Sequence, residues 1–135
     1  MKTPSELLSD RIIHLLNSKD SKTKNLNLAI SGGSSPDTLF SLWSDKYSKL
    51  IDWNRVNIFW VDERCVPSTS AESSYGRAYL GFIKDLIISS ANIFRIVGEI
   101  DLIVASNEYE KLILANFENC SGFDLVILSV VDDGH

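Results

Sequence analysis

Residues 26–37 read LNLAISGGSSPD, and this stretch decides the class of fold. Leu26 to Ile30 form a short apolar run that predicts a strand, and a glycine pair follows it at once. Helical spacing of apolar residues begins close behind Pro36, whose restricted φ suits the first turn of a helix. A strand, a sharp turn and a helix in direct succession form the beginning of a β-α-β unit. The stretch therefore predicts an α/β protein.

The same alternation continues in both directions along the chain. Thr3, Pro4 and Glu6 form a capping-box pattern, so a helix is expected to begin there, with the exposed His14 away from its apolar stripe. Helices alternating with strands imply right-handed crossovers and a parallel sheet with helices on both faces. The further predicted elements are a strand at 56–61, a helix through Tyr79, Phe82, Ile83 and Leu86, a fourth strand near 95–98, a helix over about 103–117 and a strand over 123–131.

Composition excludes several classes of function. Hydrophobic residues at 44% and charged residues at 23% are ordinary for a soluble globular domain, and a net charge of -5 offers no basic footprint for nucleic acid. No apolar run approaches the roughly 20 residues of a membrane helix. Cys65 and Cys120 have no metal-ligand spacing and make no disulfide framework. We therefore expect a cytoplasmic protein with reduced thiols that binds neither nucleic acid nor a membrane.

The segment after the first strand is a candidate anion site. Gly32 and Gly33 allow a sharp turn and a close approach to a ligand, and the free amides at the following helix start suit a phosphate. The spacing matches neither the dinucleotide fingerprint nor the P-loop. Taken alone, the segment is therefore interpreted equally well as a plain turn between a strand and a helix.

Polar residues also follow two further predicted strands, those at 56–61 and 123–131. Asp62 and Arg64 come after the strand at 56–61, where the arginine could grip a phosphate with its planar fork, or the two could form a surface ion pair. In VVDDGH at 130–135, His135 could act as a general base beside a carboxylate, or the segment could be a disordered tail. Because the carboxyl ends of parallel strands lie on one edge, we expect all three segments to converge there.

Metal binding at this edge is not expected. The available ligands are mostly carboxylates with a single histidine, and they lack the compact spacing of a structural zinc site. The residues considered are Asp62, Asp132, Asp133 and His135.

With these motifs together, the chain resembles the family of glucosamine-6-phosphate deaminases and 6-phosphogluconolactonases. The segments ISGGSSP, DWNRVNIFWVDERCVP, ESSYG, VGE and FDLVILSVVDDGH occur in the family's order. Deaminases have Asp-Glu-Tyr where this chain has residues 62–64, so the lactonases are the better match. The resemblance implies a three-layer α/β/α fold with a mainly parallel sheet, of the NagB/RpiA/CoA transferase-like kind. It also implies hydrolysis of 6-phosphoglucono-δ-lactone to 6-phosphogluconate in the oxidative pentose phosphate pathway, without a metal or organic cofactor.

The resemblance also implies a role for each matching residue. His135 would be the general base that activates water against the lactone carbonyl, Asp133 would support it, and Asp62 would help to position the substrate. A second group would hold the sugar phosphate or hydroxyls of the small-molecule phosphosugar lactone. Its members are Gly32, Gly33, Ser34, Ser35 and Arg64.

The chain departs from the family's pattern in three respects. Ser129 to Val131 stand where a Gly-Met-Gly stretch is common, and Ser74 stands where asparagine is usual. Family members continue beyond the Asp-Gly-His segment, so we expect residues 1–135 to form a single α/β domain that is the N-terminal portion of a longer lactonase domain. The last strand would then present an exposed edge, which favours a homo-oligomer. The alternatives are an inactive truncated remnant, a phosphosugar-binding protein and, more remotely, a glucosamine-6-phosphate deaminase.

Overall fold

A parallel sheet forms the centre of the computed structural model, which describes residues 2–18, 25–32, 36–117 and 122–128. Within those residues the sheet has four strands in the order β3-β2-β1-β4, and every pair is parallel. In the described part of the chain, four α-helices and three short 3-10 helices connect and cover the strands. The strands are β1 (Leu26–Ile30), β2 (Val56–Trp60), β3 (Ile93–Phe94) and β4 (Leu125–Ile127), and the helices are α1 (Pro4–Ser18), α2 (Asp37–Asp45), α3 (Ser74–Gly81) and α4 (Leu102–Asn116).

One face of the sheet carries the main hydrophobic core. Alternate strand residues point to this face, where α1, α2 and α3 cover them. Trp43 of α2 is at its centre, with its ring centroid 5.3 Å from Trp53 and 5.0 Å from Phe82. The buried Trp43 indole donates to Ser9 Oγ over 2.9 Å, so α2 is joined to α1 without an unpaired polar group. Most of the buried apolar side chains among the described residues belong to this core.

The opposite face packs against α4 through aromatic rings. Phe59 of β2 stacks on Phe94 of β3 with centroids 4.7 Å apart, and Phe117 and Phe123 pack around the same ring. The hydroxyl of Tyr109 on α4 accepts from Trp60 N over 2.9 Å and donates to Phe94 O over 2.8 Å. Helices therefore lie on both faces, and the predicted three-layer α/β/α architecture with its parallel sheet is confirmed.

The predicted helix start at Thr3 is confirmed in detail. Glu6 N donates to Thr3 Oγ1 over 3.2 Å, and Thr3 N donates to Glu6 Oε1 over 3.3 Å, so two backbone donors at the helix start find side-chain partners. His14 is exposed, as its place off the apolar stripe predicted. The predicted helix over about 103–117 agrees with α4 to within one residue.

Two predicted boundaries are wrong. The helix expected to continue through Leu86 ends at Gly81, because Phe82 leaves the helical conformation with φ of -154° and buries its ring between Phe40 and Trp43. The fourth strand lies at Ile93–Phe94 and not near 95–98. The Tyr109 hydroxyl takes the Trp60 amide that a longer β3 would pair with, so the β2–β3 ladder stops there.

No helix among the described residues is long and apolar enough to cross a membrane.

Candidate active site

Three neighbouring strands end at one edge of the sheet. Ile30 at the end of β1 pairs with Trp60 of β2 on one side and with Ile127 of β4 on the other. Val61 N donates to Ile30 O over 2.8 Å, so the chain leaves β1 and β2 at the same level. The ends of β2, β1 and β4 therefore lie side by side at one edge, whereas the convergence of the three polar segments that follow them stays a prediction. Segments beyond Leu128, including Asp133 and His135, lie outside the described residues.

The strand order places a topological switch point between β1 and β4. From β1 the chain adds β2 and then β3 on one side, and it then crosses back to add β4 on the other side of β1. At such a point the connections that leave two adjacent strands run in opposite directions along the sheet. A crevice forms at the carboxyl ends of these two strands, and α/β proteins bind ligands there. In the sequence, the glycine–serine segment at 32–35 follows β1, and VVDDGH follows β4.

Gly32 allows α3 to approach the exit of β1. A Cβ atom at Gly32 would overlap the hydroxyl of Ser74 and lie 2.9 Å from its Cβ, so any larger residue would push these two elements apart. Ser74 is the first residue of α3. Gly33, Ser34 and Ser35 lie outside the described residues, and α2 begins directly after them with Pro36 at its cap position.

Asp62 and Arg64 are both exposed at the exit of β2. The structure describes both residues and shows no ion pair between them. The alternative that Asp62 and Arg64 form a surface ion pair is therefore wrong. The arginine backbone is held by its neighbour, because Arg64 N donates to Glu63 Oε1 over 2.8 Å. The Arg64 side chain is therefore exposed on a backbone whose position is restrained.

Glu63 is the residue of this segment that the sequence-based assignment of roles left out. Its carboxylate accepts hydrogen bonds from Ser74 N at 2.6 Å, from Tyr75 N at 3.0 Å and from the Ser73 hydroxyl at 2.9 Å. Ser73 is the N-cap of α3, and its Oγ accepts from Gly76 N over 3.0 Å. The cap at Ser73 has a local signal in the sequence, whereas the partner ten residues earlier has none.

The VGE segment supports the loop that carries Arg64. A Cβ atom at Gly98 would lie 2.7 Å from Val66 O, so only glycine lets the two backbones come this close. Glu99 accepts from Ser68 N over 3.4 Å and pairs with Arg95 over 3.1 Å. The hydrogen bond with Arg95 is the main cause that lowers the pKa of Glu99 below its ordinary value. The VGE segment therefore holds in place the loop that follows Arg64.

A charged pair joins α2 to α3 beside the candidate site. Arg77 donates to both carboxylate oxygens of Asp37, over 2.9 and 2.8 Å. These hydrogen bonds are the main cause that lowers the pKa of Asp37. The pair lies along an open cleft of about 950 Å³. The cleft is lined by residues of α2, α3 and the preceding loop: Asp37, Phe40, Ser41, Ser68, Thr69, Ser70, Ala71, Tyr75, Gly76, Arg77, Tyr79, Leu80 and Gly81.

Within the residues that the structure describes, no group of three or more His, Cys, Asp or Glu side chains could hold a metal ion.

The fold and the polar segments at the switch point define an α/β protein with a candidate ligand site at the carboxyl edge of its sheet. Residues 3–135 match the family described as glucosamine-6-phosphate isomerases/6-phosphogluconolactonase, and the chain belongs to this family. The family resemblance drawn from the sequence motifs is thereby confirmed.

Relatives of this chain are named 6-phosphogluconolactonase. A protein of that name from Treponema pallidum is 36% identical over 122 residues, which are 86% of this chain and 51% of the relative. Another, from Chlamydia pneumoniae, is 36% identical over 108 residues, which are 80% of this chain and 40% of the relative. The solved structure of 6-phosphogluconolactonase from Thermotoga maritima has a TM-score of 0.84 at 26% identity and covers 97% of this chain and 56% of its own. The chain thus spans about half the length of the relatives that it matches.

Proposed function

We propose that this chain carries the phosphate-binding and general-base segments of a 6-phosphogluconolactonase, which hydrolyses 6-phosphoglucono-δ-lactone to 6-phosphogluconate in the oxidative pentose phosphate pathway. The observation that supports this most strongly is the arrangement of β2, β1 and β4, whose adjacent ends lead into the three segments shared with the lactonases. A reaction on a free phosphosugar also fits the cytoplasmic location that the isolated cysteines predict.

The phosphate is assigned to the segment after β1 and to Arg64. Gly32, Gly33, Ser34 and Ser35 offer backbone amides and hydroxyls at the start of α2, and a guanidinium fork adds a charged donor. The start of α3 is a poor alternative, because the Glu63 carboxylate already accepts from its first amides. The doubly charged phosphate is bound far from the reacting carbonyl. Its binding energy can therefore be used to orient the lactone ring relative to the catalytic groups.

The hydrolysis is assigned to the segment after β4. Neutral His135 accepts a proton from water as the water oxygen bonds to the lactone carbonyl carbon, and Asp133 stabilises the imidazolium that forms. The ring C–O bond then breaks, the ring oxygen takes the proton from the imidazolium, and the new carboxylic acid ionises. Asp62 helps to position the sugar. A general base of this kind contributes on the order of 10²- to 10⁴-fold to the rate.

The proposal is tested by measuring lactone hydrolysis with the purified chain and with His135→Ala. We expect a rate above the spontaneous hydrolysis that falls by about 10²-fold or more in this variant. His14→Ala is the matched control, because His14 is the other histidine of the chain and lies exposed on α1. Equal rates in His135→Ala and the wild-type chain would contradict the assigned base.

Two further measurements on the purified chain would identify the alternative functions. A chain that 6-phosphogluconate stabilises against thermal unfolding, but that does not accelerate hydrolysis, would be a phosphosugar-binding protein. Release of ammonia from glucosamine 6-phosphate would instead identify a deaminase. Absence of both binding and turnover would contradict the proposed function altogether.

A further inference from the structure

We propose that Glu63 is a positioning residue, which holds Arg64 and the start of α3 in the arrangement that the phosphosugar requires. This inference rests on the proposed function, and it assigns a role to the one residue of the Asp62–Arg64 segment that has none so far. Glu63 acts through its neighbours and does not touch the substrate itself.

The carboxylate of Glu63 is saturated with donors. Oε1 accepts from Ser74 N at 2.6 Å and from Arg64 N at 2.8 Å, whereas Oε2 accepts from Tyr75 N at 3.0 Å and from the Ser73 hydroxyl at 2.9 Å. A carboxylate has about four acceptor positions, so these four bonds leave no lone pair for a water or a substrate hydroxyl. Glu63 is therefore excluded as the general base.

The bonds connect α3 to the strand exit beside it. Ser74 and Tyr75 are the first two residues of α3, and their amides have no partner within the helix. A negative charge at this end also interacts favourably with the helix dipole. Because Glu63 follows β2 by only three residues, the start of α3 is tied directly to the end of that strand.

The same carboxylate reaches both sides of the candidate phosphate site. On one side it binds the backbone amide of Arg64. On the other side it positions Ser74, which packs so closely on Gly32 that no Cβ atom would fit between them. The relative position of Arg64 and Gly32 therefore depends on Glu63. Loss of the carboxylate should separate these two halves of the phosphate site.

The test compares 6-phosphogluconate binding by the wild-type chain, Glu63→Gln and Glu72→Gln. Glutamine has the shape of glutamate but no charge, and its amide nitrogen cannot accept the bonds that one carboxylate oxygen accepts. We expect a Kd about 10-fold higher for Glu63→Gln, because hydrogen bonds to a charged group are strong. Glu72→Gln makes the same chemical change at an exposed neighbouring position and should bind within about 2-fold of wild type.

A double-mutant cycle distinguishes positioning from general stabilisation. If Glu63 acts through Arg64, Glu63→Gln should weaken binding by less than about 2-fold in an Arg64→Ala background. If the two effects instead multiply, or if Glu63→Gln binds as tightly as wild type, the positioning role is overturned. Near-ultraviolet circular dichroism verifies that each variant is folded.

Amide hydrogen exchange separates this inference from the proposed function. The amides of Arg64, Ser74 and Tyr75 should exchange about 10-fold faster in Glu63→Gln than in Glu72→Gln, because their acceptor is weakened. Unchanged exchange would overturn the inference even if the chain binds 6-phosphogluconate. The two variants could also show the exchange difference while the wild-type chain binds no 6-phosphogluconate. That result would overturn the proposed function and would leave Glu63 as a helix cap alone.

Discussion

Tyr109 connects the helical layer to the sheet through one hydroxyl group. It accepts from Trp60 N and donates to Phe94 O, so it satisfies backbone groups of two strands at the point where their ladder ends. Burial raises the pKa of Tyr109 to about 12. At the residue scale, one side chain thus replaces a stretch of strand pairing. Removal of its hydroxyl leaves Trp60 N without this acceptor and Phe94 O without this donor.

Tyr109→Phe should lower the free energy of unfolding by about 1–3 kcal/mol at neutral pH, measured by urea denaturation. The pH dependence has a definite sign. The unfolded state loses its tyrosine proton near the ordinary pKa of 10, whereas the folded state keeps it until about 12, so stability falls as pH rises from 10 to 12. This fall should be smaller in Tyr109→Phe than in wild type. Tyr79→Phe removes a hydroxyl at an exposed position and is the matched control for the loss of stability at neutral pH.

Gly32→Ala tests the close packing between the exit of β1 and the start of α3. The added methyl group would overlap Ser74, so we expect a loss of about 1–3 kcal/mol in the free energy of unfolding. Adding Ser74→Gly removes the overlapping atoms and should restore part of this loss. If the double variant is no more stable than Gly32→Ala, the contact with Ser74 does not explain the need for glycine.

At the scale of elements, the three helices α1, α3 and α4 begin in two physically different ways. α1 begins with a capping box whose residues are three positions apart, and α4 begins with Asp101, whose carboxylate accepts from Ile103 N and Val104 N. The donors at the start of α3 instead depend partly on Glu63, which belongs to another segment. Local caps stabilise a helix wherever it lies, whereas a cap from a distant residue also determines where the helix packs.

Asp124 determines the register of β4 in a comparable way. Its backbone amide donates to Asn27 O and its carboxylate accepts from Asn27 N, both over 2.8 Å, immediately before the paired residues of β4. Asp124→Ala should increase amide exchange of Val126 and Ile127, with a stability loss of about 1–2 kcal/mol. Asp124→Asn keeps an acceptor oxygen and should lie closer to wild type. Equal exchange in all three proteins would contradict this account.

At the scale of the whole molecule, one group of exposed apolar side chains lies on β4 and α4. Val126 and Leu128 in and after β4 are 45% and 65% exposed, and the outer edge of β4 has no strand partner among the described residues. Leu102, Ile103 and Leu114 of α4 are also exposed. An unpaired strand edge beside apolar side chains favours association with another chain, and the homo-oligomer expected from the sequence stays a prediction.

Charged substitutions at β4 should therefore change the oligomeric state. We expect the chain to self-associate at micromolar concentration, and we expect Val126→Lys combined with Leu128→Lys to shift it toward the monomer in light scattering coupled to gel filtration. Leu7→Lys is the matched control, because Leu7 is 58% exposed on α1, away from β4. A wild-type chain that is monomeric throughout would contradict self-association through this edge.

The sequence by itself determined the class of fold, most helix and strand positions, the family and the meeting of three strand ends at one edge. These features depend on apolar periodicity, on caps within a few residues and on the common direction of parallel strands. Only the tertiary structure decided that α3 ends where Phe82 enters the core, that β3 precedes Arg95, and that Glu63 holds α3. Each depends on a contact between residues far apart in the chain, such as Trp60 with Tyr109, for which local sequence carries no signal.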